Sequence, residues 1–389
     1  MKIMQYHVTQ GGKKTMKKGK IVKKEEGLTV IRLEGSPYEM GYQHGKELKE
    51  EIKYLSSNLE NLFARYEGIF GKLAFPIFRY FSKKLEKKIP KEFQEEMRGI
   101  ADGAGVDYNS ICLENLTEEL GEIFYDYLKP FIPFLKCSCF VTKDIDGNII
   151  WGRNLDYLFY EVLPILNIVF VYVPQQGFPF ISLSWPGVIG ASTGISRNLS
   201  LISLSSSTKS RLFSGIAQEI LTRQVIQYSQ SLEDGIKEIL SLPATVGQNL
   251  VLVSKNDAKV VEISPNKKAI RSFQNGYITV TNHFQIREME KEQVPEIGPR
   301  KTSIPDELFT LLFTLEGSKK RDEKLKKLLS QPVDSKRAIK ILDQVAGPGT
   351  VQSVVAIPKK EEFWVAKRAQ PPVTKGEWMH FRIDDLLRG

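Results

Sequence analysis

Cys137 and Cys139 open a segment, CSCFVTKDIDGNIIWGRNLD, that brings a thiol, an arginine and a carboxylate close together in the chain. A thiol becomes a nucleophile when a base takes its proton or a nearby cation stabilises the thiolate. Gly147 reads as a turn, so the return strand through Gly152, Arg153, Asn154 and Asp156 folds back beside Cys137 and Cys139. Arg153 and Asp156 then come within reach of Cys137. The plainer reading of the same residues is a two-stranded hairpin with two small, inert thiols, because unpaired cysteine packs as a small hydrophobe. Other chemistries find less support. The four histidines are His7, His44, His283 and His380, and a Ser/His/Asp or Cys/His centre would have to draw on His44 or His283. Neither lies in a zinc-ligand spacing, and Cys137-x-Cys139 is half of a metal clip with no second pair. No Walker A loop or GxGxxG follows a strand, so neither a metal nor another cofactor is expected.

The hairpin stands where the texture of the chain changes. Before it, residues 28–34 alternate like a half-buried strand, and Gly35-Ser36-Pro37 turns into a helix over 38–54 with Ser36 as its N-cap. Helical patterns follow over 58–88, 91–104 and 110–135. After it, strands are expected near 164–173, 179–184, 188–193, 199–205, 249–254, 259–264, 277–281, 351–357 and 362–367. Helices are expected at 209–228, 231–241, 303–315 and 335–345, and the charged run at 316–328 reads as a solvated helix face. Strands grouped between helices predict an α+β body layered as αββα.

Composition narrows the class. Of 389 residues, 41% are hydrophobic and 26% charged, which excludes a disordered or fibrous chain. Three cysteines exclude a disulfide framework and fit a reducing compartment. The net charge of +9 is misleading, because residues 1–24 carry eight lysines and no acid, leaving +1 for the rest. Residues 1–27 therefore read as a basic flexible tail. No reading-head motif follows it, so a nucleic-acid partner is not expected. The first residues lack a signal-peptide pattern and no run reaches 18 apolar residues, so the expectation is a cytoplasmic protein, with a peripheral place at a membrane open to it.

The segment Cys137–Asp156, ending GRNLDY, resembles the nucleophile hairpin of acid ceramidase and N-acylethanolamine acid amidase. These enzymes group with choloylglycine hydrolases and penicillin acyltransferases (peptidase C45 type) among the N-terminal-nucleophile hydrolases. Five further blocks resemble the same group, in the same order: Gly35-Ser-Pro-Tyr-Glu-Met-Gly41-Tyr-Gln-His44-Gly45, Arg98-Gly-Ile-Ala-Asp-Gly-Ala-Gly-Val-Asp-Tyr108, Trp185-Pro-Gly-Val-Ile-Gly-Ala-Ser-Thr-Gly194, Thr281-Asn282-His283-Phe284, and Gly349-Thr-Val-Gln-Ser353-Val-Val. The likeness spans about residues 28–382. It implies a four-layer αββα sandwich with an N-terminal helical segment. It also implies a division into 28–136, a mainly helical part, and 137–389, a catalytic part that begins at the nucleophile.

The resemblance implies a mechanism as well. The chain would cleave itself between Lys136 and Cys137, as a zymogen does, and the two fragments would stay associated. Cys137 would then carry both the thiol and a free α-amine, whose pKa of about 7.7–8.0 suits a base near neutrality. Arg153 matches an arginine that lowers the thiol pKa, Asp156 a carboxylate that holds the α-amine, and Asn282 an oxyanion-hole donor. Arg300 matches a further active-site arginine by a looser alignment. Cys139 shares a strand face with Cys137, but Cys137 has the family's spacing to Gly147, Arg153 and Asp156. His44 and His283 fall inside matching blocks and are read as structural or as supporting residues behind the site. The implied reaction is hydrolysis of a linear, fatty N-acyl amide through a thioester. The alternatives are an acyl-CoA-dependent N-acyltransferase and a non-processing lipid-binding homologue. Aromatic stretches at 69–81 and 123–135, with lysines and arginines nearby, suit a membrane surface or an acyl channel, and equally suit packing on the core.

Overall fold

A computed structural model describes residues 19–128, 135–157, 163–206, 208–211, 215–273, 276–294 and 314–388. In chain order its elements are β1 (Lys20–Glu25), β2 (Leu28–Gly35), α1 (Pro37–Glu47), α2 (Lys49–Leu85), α3 (Lys91–Ala104), α4 (Tyr108–Leu128), β3 (Leu135–Lys143) and β4 (Ile149–Tyr157). Next come β5 (Ile168–Pro174), β6 (Phe180–Ser184), β7 (Thr193–Ile195), β8 (Ser200–Ser206), α5 (Gln218–Tyr228), α6 (Leu232–Ser241), β9 (Gly247–Val253), β10 (Ala258–Ile263), β11 (Lys268–Ser272) and β12 (Tyr277–Val280). The chain closes with α7 (Arg287–Glu290), α8 (Leu315–Leu328), α9 (Ser335–Val345), β13 (Thr350–Ile357), β14 (Glu362–Lys367), β15 (Glu377–Arg382) and α10 (Ile383–Arg388).

Among these residues one sheet runs β1-β2-β5-β6-β7-β8-β9-β10-β11 and a second runs β12-β3-β4-β13-β14-β15. Only β2 and β5 pair in parallel. Strand alternation sorts the second sheet's side chains into two faces. Cys137, Cys139 and Val141 of β3 turn inward with Trp151 and Leu155 of β4, into the core shared with the first sheet. Phe140 and Ile150 turn outward and bury with Leu325 of α8 and Ile341 and Leu342 of α9. On the other side, α5 lies against β7 and β8 and α6 against β9 and β10. The layers are helix, sheet, sheet, helix: the α+β, αββα architecture.

Several expectations are corrected in detail. Residues 20–25 of the expected tail form β1, which pairs with β2. The strand expected at 28–34 is β2, which joins β5 inside the first sheet. The helix over 38–54 is interrupted at Leu48 (φ −117°, ψ 29°). The apolar run at 188–193 is mostly not strand. Side chains hold it instead: Asn115 Oδ1 accepts from the Ile189 N–H and His44 Nε2 from the Gly187 N–H. Strands β11 and β15 escaped the sequence reading because both are half-exposed and charged and lack an apolar alternation. The expected helix at 303–315 falls almost wholly outside the described residues, as do residues 129–134 of the second aromatic stretch. Of the first stretch, Phe75 and Phe78 are buried, while Ile77 and Tyr80 are exposed.

Glycines explain the first two sequence blocks. The α1 and α3 backbones cross so closely that a Cβ on Gly41 would lie 1.9 Å from the Glu96 carbonyl oxygen, and one on Gly99 2.3 Å from that of Tyr38. Ser36 caps α1 with a capping box to Glu39, which fixes the helix start against this crossing. Gly41→Ala should therefore force the helices apart and destabilise the fold by ~1–3 kcal/mol or more. A thermal melt measures it, and an unchanged melting temperature would show that the crossing can relax.

Candidate active site

The β3–β4 hairpin turns at Gly147 with φ 79°, and its register pairs Cys137 with Leu155, Cys139 with Arg153 and Lys136 with Asp156. Arg153 is wholly buried, and its long side chain reaches diagonally past its partner. One terminal nitrogen (NH2) lies 3.5 Å from the Cys137 Sγ and donates to the Ser203 carbonyl at 3.0 Å. The other (NH1) bonds the Thr193 hydroxyl. The thiol thus faces a guanidinium anchored on β7 and β8 of the opposite sheet.

The Lys136–Cys137 peptide lies within β3. The Cys137 N–H donates to Asn282 Oδ1 at 2.9 Å. Asn282 sits just beyond β12, and its Nδ2 donates to the Ser205 carbonyl at 2.9 Å. In the uncleaved chain its amide therefore receives the Cys137 nitrogen, while its donor side is engaged with β8. Asn282 Oδ1 also accepts from Arg321 at 2.9 Å, and Arg321 Nε donates to the Ser138 hydroxyl at 3.2 Å.

Asp156 is buried beside the same peptide. Its Oδ1 accepts from the Thr350 hydroxyl, and its Oδ2 has no hydrogen-bond partner among the described residues. Burial pushes its carboxyl above the usual range, against the pull of Arg321, Thr350 and Arg153. Burial also pushes the Cys137 thiol up, and this outweighs the lowering by Arg153. The expected lowering by Arg153 is therefore present but does not win in the intact chain. The Cys139 thiol is pushed up to about 12, again chiefly by burial, and makes only a 3.9 Å contact to the Phe140 carbonyl.

Arg300 lies outside the described residues. Arg321 was missed because it hides in the charged run, which is not simply solvated. Arg321, Asp322 and Leu325 are buried on α8. The signal was their spacing, since residues four apart share a helix face and Leu325 marks that face as buried. His44 is a buried acceptor pushed down to about 3 by burial and Arg223. His283 bonds Thr281 and Ser318 and is pushed down to about 4, mainly by burial. Among the described residues no group of three or more His, Cys, Asp and Glu could hold a metal.

A cleft is lined by Leu55, Leu59, Tyr157 and Trp185 and by Glu114, Glu118 and Glu219. It adjoins the site, since Glu118 acts electrostatically on both Cys137 and Arg153. Glu118 and Glu219 act on each other electrostatically, and burial pushes both up. These acids too were missed, although like charges four apart on α4 (Glu114 and Glu118) are unfavourable on a solvated helix. Burial pushes Glu114 up to about 8, and Glu119 up to about 7. Acids raised above their unfolded value of 4.5 stabilise fully below that pH. They lose the contribution as pH rises through 7 and 8. The melting temperature should thus fall by several degrees between pH 5 and pH 9, and Glu119→Gln should flatten the decline. A fall of equal size in the variant would remove these carboxyls as its cause.

Residues 142–360 match the sequence family described as acyl-coenzyme A:6-aminopenicillanic acid acyl-transferase. An uncharacterized protein of Archaeoglobus fulgidus is 27% identical over 381 residues, which cover 87% of this chain and 62% of that protein. The N-acylethanolamine-hydrolyzing acid amidase of Caenorhabditis elegans is 24% identical over 198 residues (51% of this chain and 52% of the amidase). Acid ceramidase of Mus musculus is 28% identical over 191 residues, 45% of this chain and 44% of that enzyme. The chain thus spans from under half to about three fifths of these relatives' own lengths.

Proposed function

The chain belongs to the acyl-coenzyme A:6-aminopenicillanic acid acyl-transferase family, and on that premise we propose that it is a self-processing cysteine amidase acting on N-acyl amides. The observation that carries this reading is a single buried site in which Cys137 offers its Sγ to Arg153 and its own backbone nitrogen to Asn282. Cys139 has neither contact.

In the first step the Cys137 Sγ attacks the Lys136 carbonyl carbon. The C–N bond breaks, the acyl group passes to sulfur and the nitrogen takes up a proton. Water hydrolyses the thioester, leaving the Lys136 carboxylate and a Cys137 with a free α-amine. That amine then serves as the base for its own thiol. The thiolate attacks the substrate's amide carbonyl, the protonated α-amine gives its proton to the departing amine, and water releases the acid from the thioester. Arg153 faces the thiolate, Asp156 Oδ2 is free to receive the α-ammonium, and Asn282 with Arg321 lies on the side of the Cys137 nitrogen. The fragments stay together in this reading because β2 is bonded to β5 along 29–35 and 168–174. The Gln218 N–H also donates to Glu119 of α4 at 3.1 Å.

The test is release of amine from an N-acylethanolamine by purified protein. No release from fatty or short acyl chains alike would discard the amidase reading. The family's description favours a second outcome, acyl transfer from coenzyme A to an amine, because both reactions share the thioester. A rival amine in the assay separates them by the ratio of transfer to hydrolysis. Among the described residues no helix is long and apolar enough to cross a membrane. A peripheral contact would use the exposed face of α2 that carries Ile77, Tyr80, Lys83 and Lys84. Ile77→Glu/Tyr80→Glu should lower co-sedimentation with anionic vesicles, and equal binding discards the contact.

A further inference from the structure

We propose that the cleft beside Cys137 is a charge filter for the amine half of the substrate: it favours amides whose leaving amine bears a second, cationic nitrogen and rejects those whose leaving amine bears a carboxylate. The inference rests on the amidase reading and deepens it.

Three carboxyls share one otherwise apolar cleft, Glu114 and Glu118 from α4 and Glu219 from α5. Glu118 and Glu219 are close enough to act on each other, and Gln218 Nε2 donates to Glu118 at 3.0 Å. Glu114 lies one helical turn farther along α4, about 5.4 Å by the pitch of an α-helix. Its Oε1 accepts from Ser56, and its Oε2 is buried without a partner among the described residues. Arg153 acts on Glu118 and Glu219 through space. Its terminal nitrogens, however, are bonded to Thr193, Ser203 and Cys137. One guanidinium therefore acts on two of the three acids.

A second observation points to a ligand. Trp185 lines the same cleft, is only 5% exposed, and its indole N–H has no partner among the described residues. A buried donor of this kind is normally satisfied, and a substrate carbonyl or hydroxyl would satisfy it here. The apolar wall of Leu55, Leu59 and Leu62 suits the uncharged remainder of such a molecule. The sign of the filter follows from charge balance. Carboxyls crowded away from water keep protons to avoid mutual repulsion. An ammonium entering the cleft can replace such a proton, which leaves to solvent, and the acid then pairs with it. Among the described residues a carboxylate entering the cleft meets three carboxyls beside the neutral donors of Trp185, Asn115 and Thr117, and like-charge juxtaposition in a desolvated site is strongly unfavourable.

Two measurements test the filter. The first compares mono-N-acyl ethylenediamine, N-acylethanolamine and N-acylglycine of one acyl length, near-isosteres differing in the charge of the amine half. The value of kcat/KM should fall in that order, by about tenfold or more from first to last, and Glu118→Gln should compress the span to about threefold. The second needs no turnover. Octylammonium, octanol and octanoate are titrated into the Cys137→Ala protein, with Trp185 fluorescence as the signal and Trp185→Phe as its control. Octylammonium should bind about tenfold tighter than octanoate, and Glu114→Gln or Glu118→Gln should shrink the difference. Octanoate binding as tightly as octylammonium would overturn the filter whatever the activity. If no amide is cleaved but the ammonium preference holds, the amidase reading fails and the filter stands. If the ethanolamide is cleaved and the three amides react alike, the filter fails and the amidase reading stands.

Discussion

Purified wild-type protein is expected to separate under denaturing conditions into a fragment ending at Lys136 and one starting at Cys137. The Cys137→Ala variant is expected to remain one chain of 44.2 kDa. Amide hydrolysis should fall by at least ~10⁴-fold in the variant, because removing a covalent nucleophile removes the reaction path and not merely one interaction. Cys139→Ala should retain both cleavage and turnover. The contrast is sharp because the two cysteines share a strand, a face and complete burial, so a general packing effect would strike both. What separates them is the backbone nitrogen. That of Cys137 is held by Asn282, on which Arg321 also converges. Intact mass spectrometry of the three proteins decides the matter. Loss of cleavage in the Cys139 variant alone would move the nucleophile by two residues and break the roles given to Arg153 and Asp156.

The structure also explains why an uncleaved chain would be a poor enzyme. With the peptide in place, burial holds the thiol protonated even beside Arg153, and the Cys137 nitrogen is an amide, without basicity. Opening the bond changes both at once. In the proposed reading it would supply an amine and give Asp156 Oδ2, which has no partner among the described residues, a cationic one.

The hairpin was legible in the sequence because it is local. A glycine turn and an alternating pattern fix a register, and the register brings Arg153 and Asp156 back to Cys137. Asn282 was legible only through the family resemblance, and the sequence held no sign that its oxygen, rather than its nitrogen, would face Cys137. Arg321 was hidden because its neighbours are lysines and acids. Only its alignment with Leu325 on the helix shows that it turns inward. The acids of the cleft were hidden for a related reason: Glu118 and Glu219 are a hundred residues apart, and neither α4 nor α5 alone shows that its acid meets another. The layered fold was readable from apolar strands, whereas β11 and β15 are half-exposed and charged and leave no such pattern.

Asp156→Asn should separate catalysis from folding most cleanly. The side chains are nearly isosteric, and the Thr350 hydroxyl can still donate to the remaining oxygen. Burial already pushes the Asp156 carboxyl toward its neutral form, so an uncharged amide should fold as well as the acid, with a melting temperature equal or higher. The catalytic effect should be large, about 10²–10³ in kcat, because the α-amine loses the group that orients it. The pH profile carries the more specific signature. A carboxylate beside an ammonium favours the charged form and raises the amine's pKa. The neutral amine is the active base, so activity rises as pH climbs through that pKa. Removing the carboxylate lowers the amine's pKa, and the acid limb of kcat/KM should move about one unit to lower pH even as the maximum falls. A variant that loses rate with its acid limb unmoved would mean that Asp156 acts on something other than the Cys137 nitrogen, with Arg321 on α8 the next group to examine.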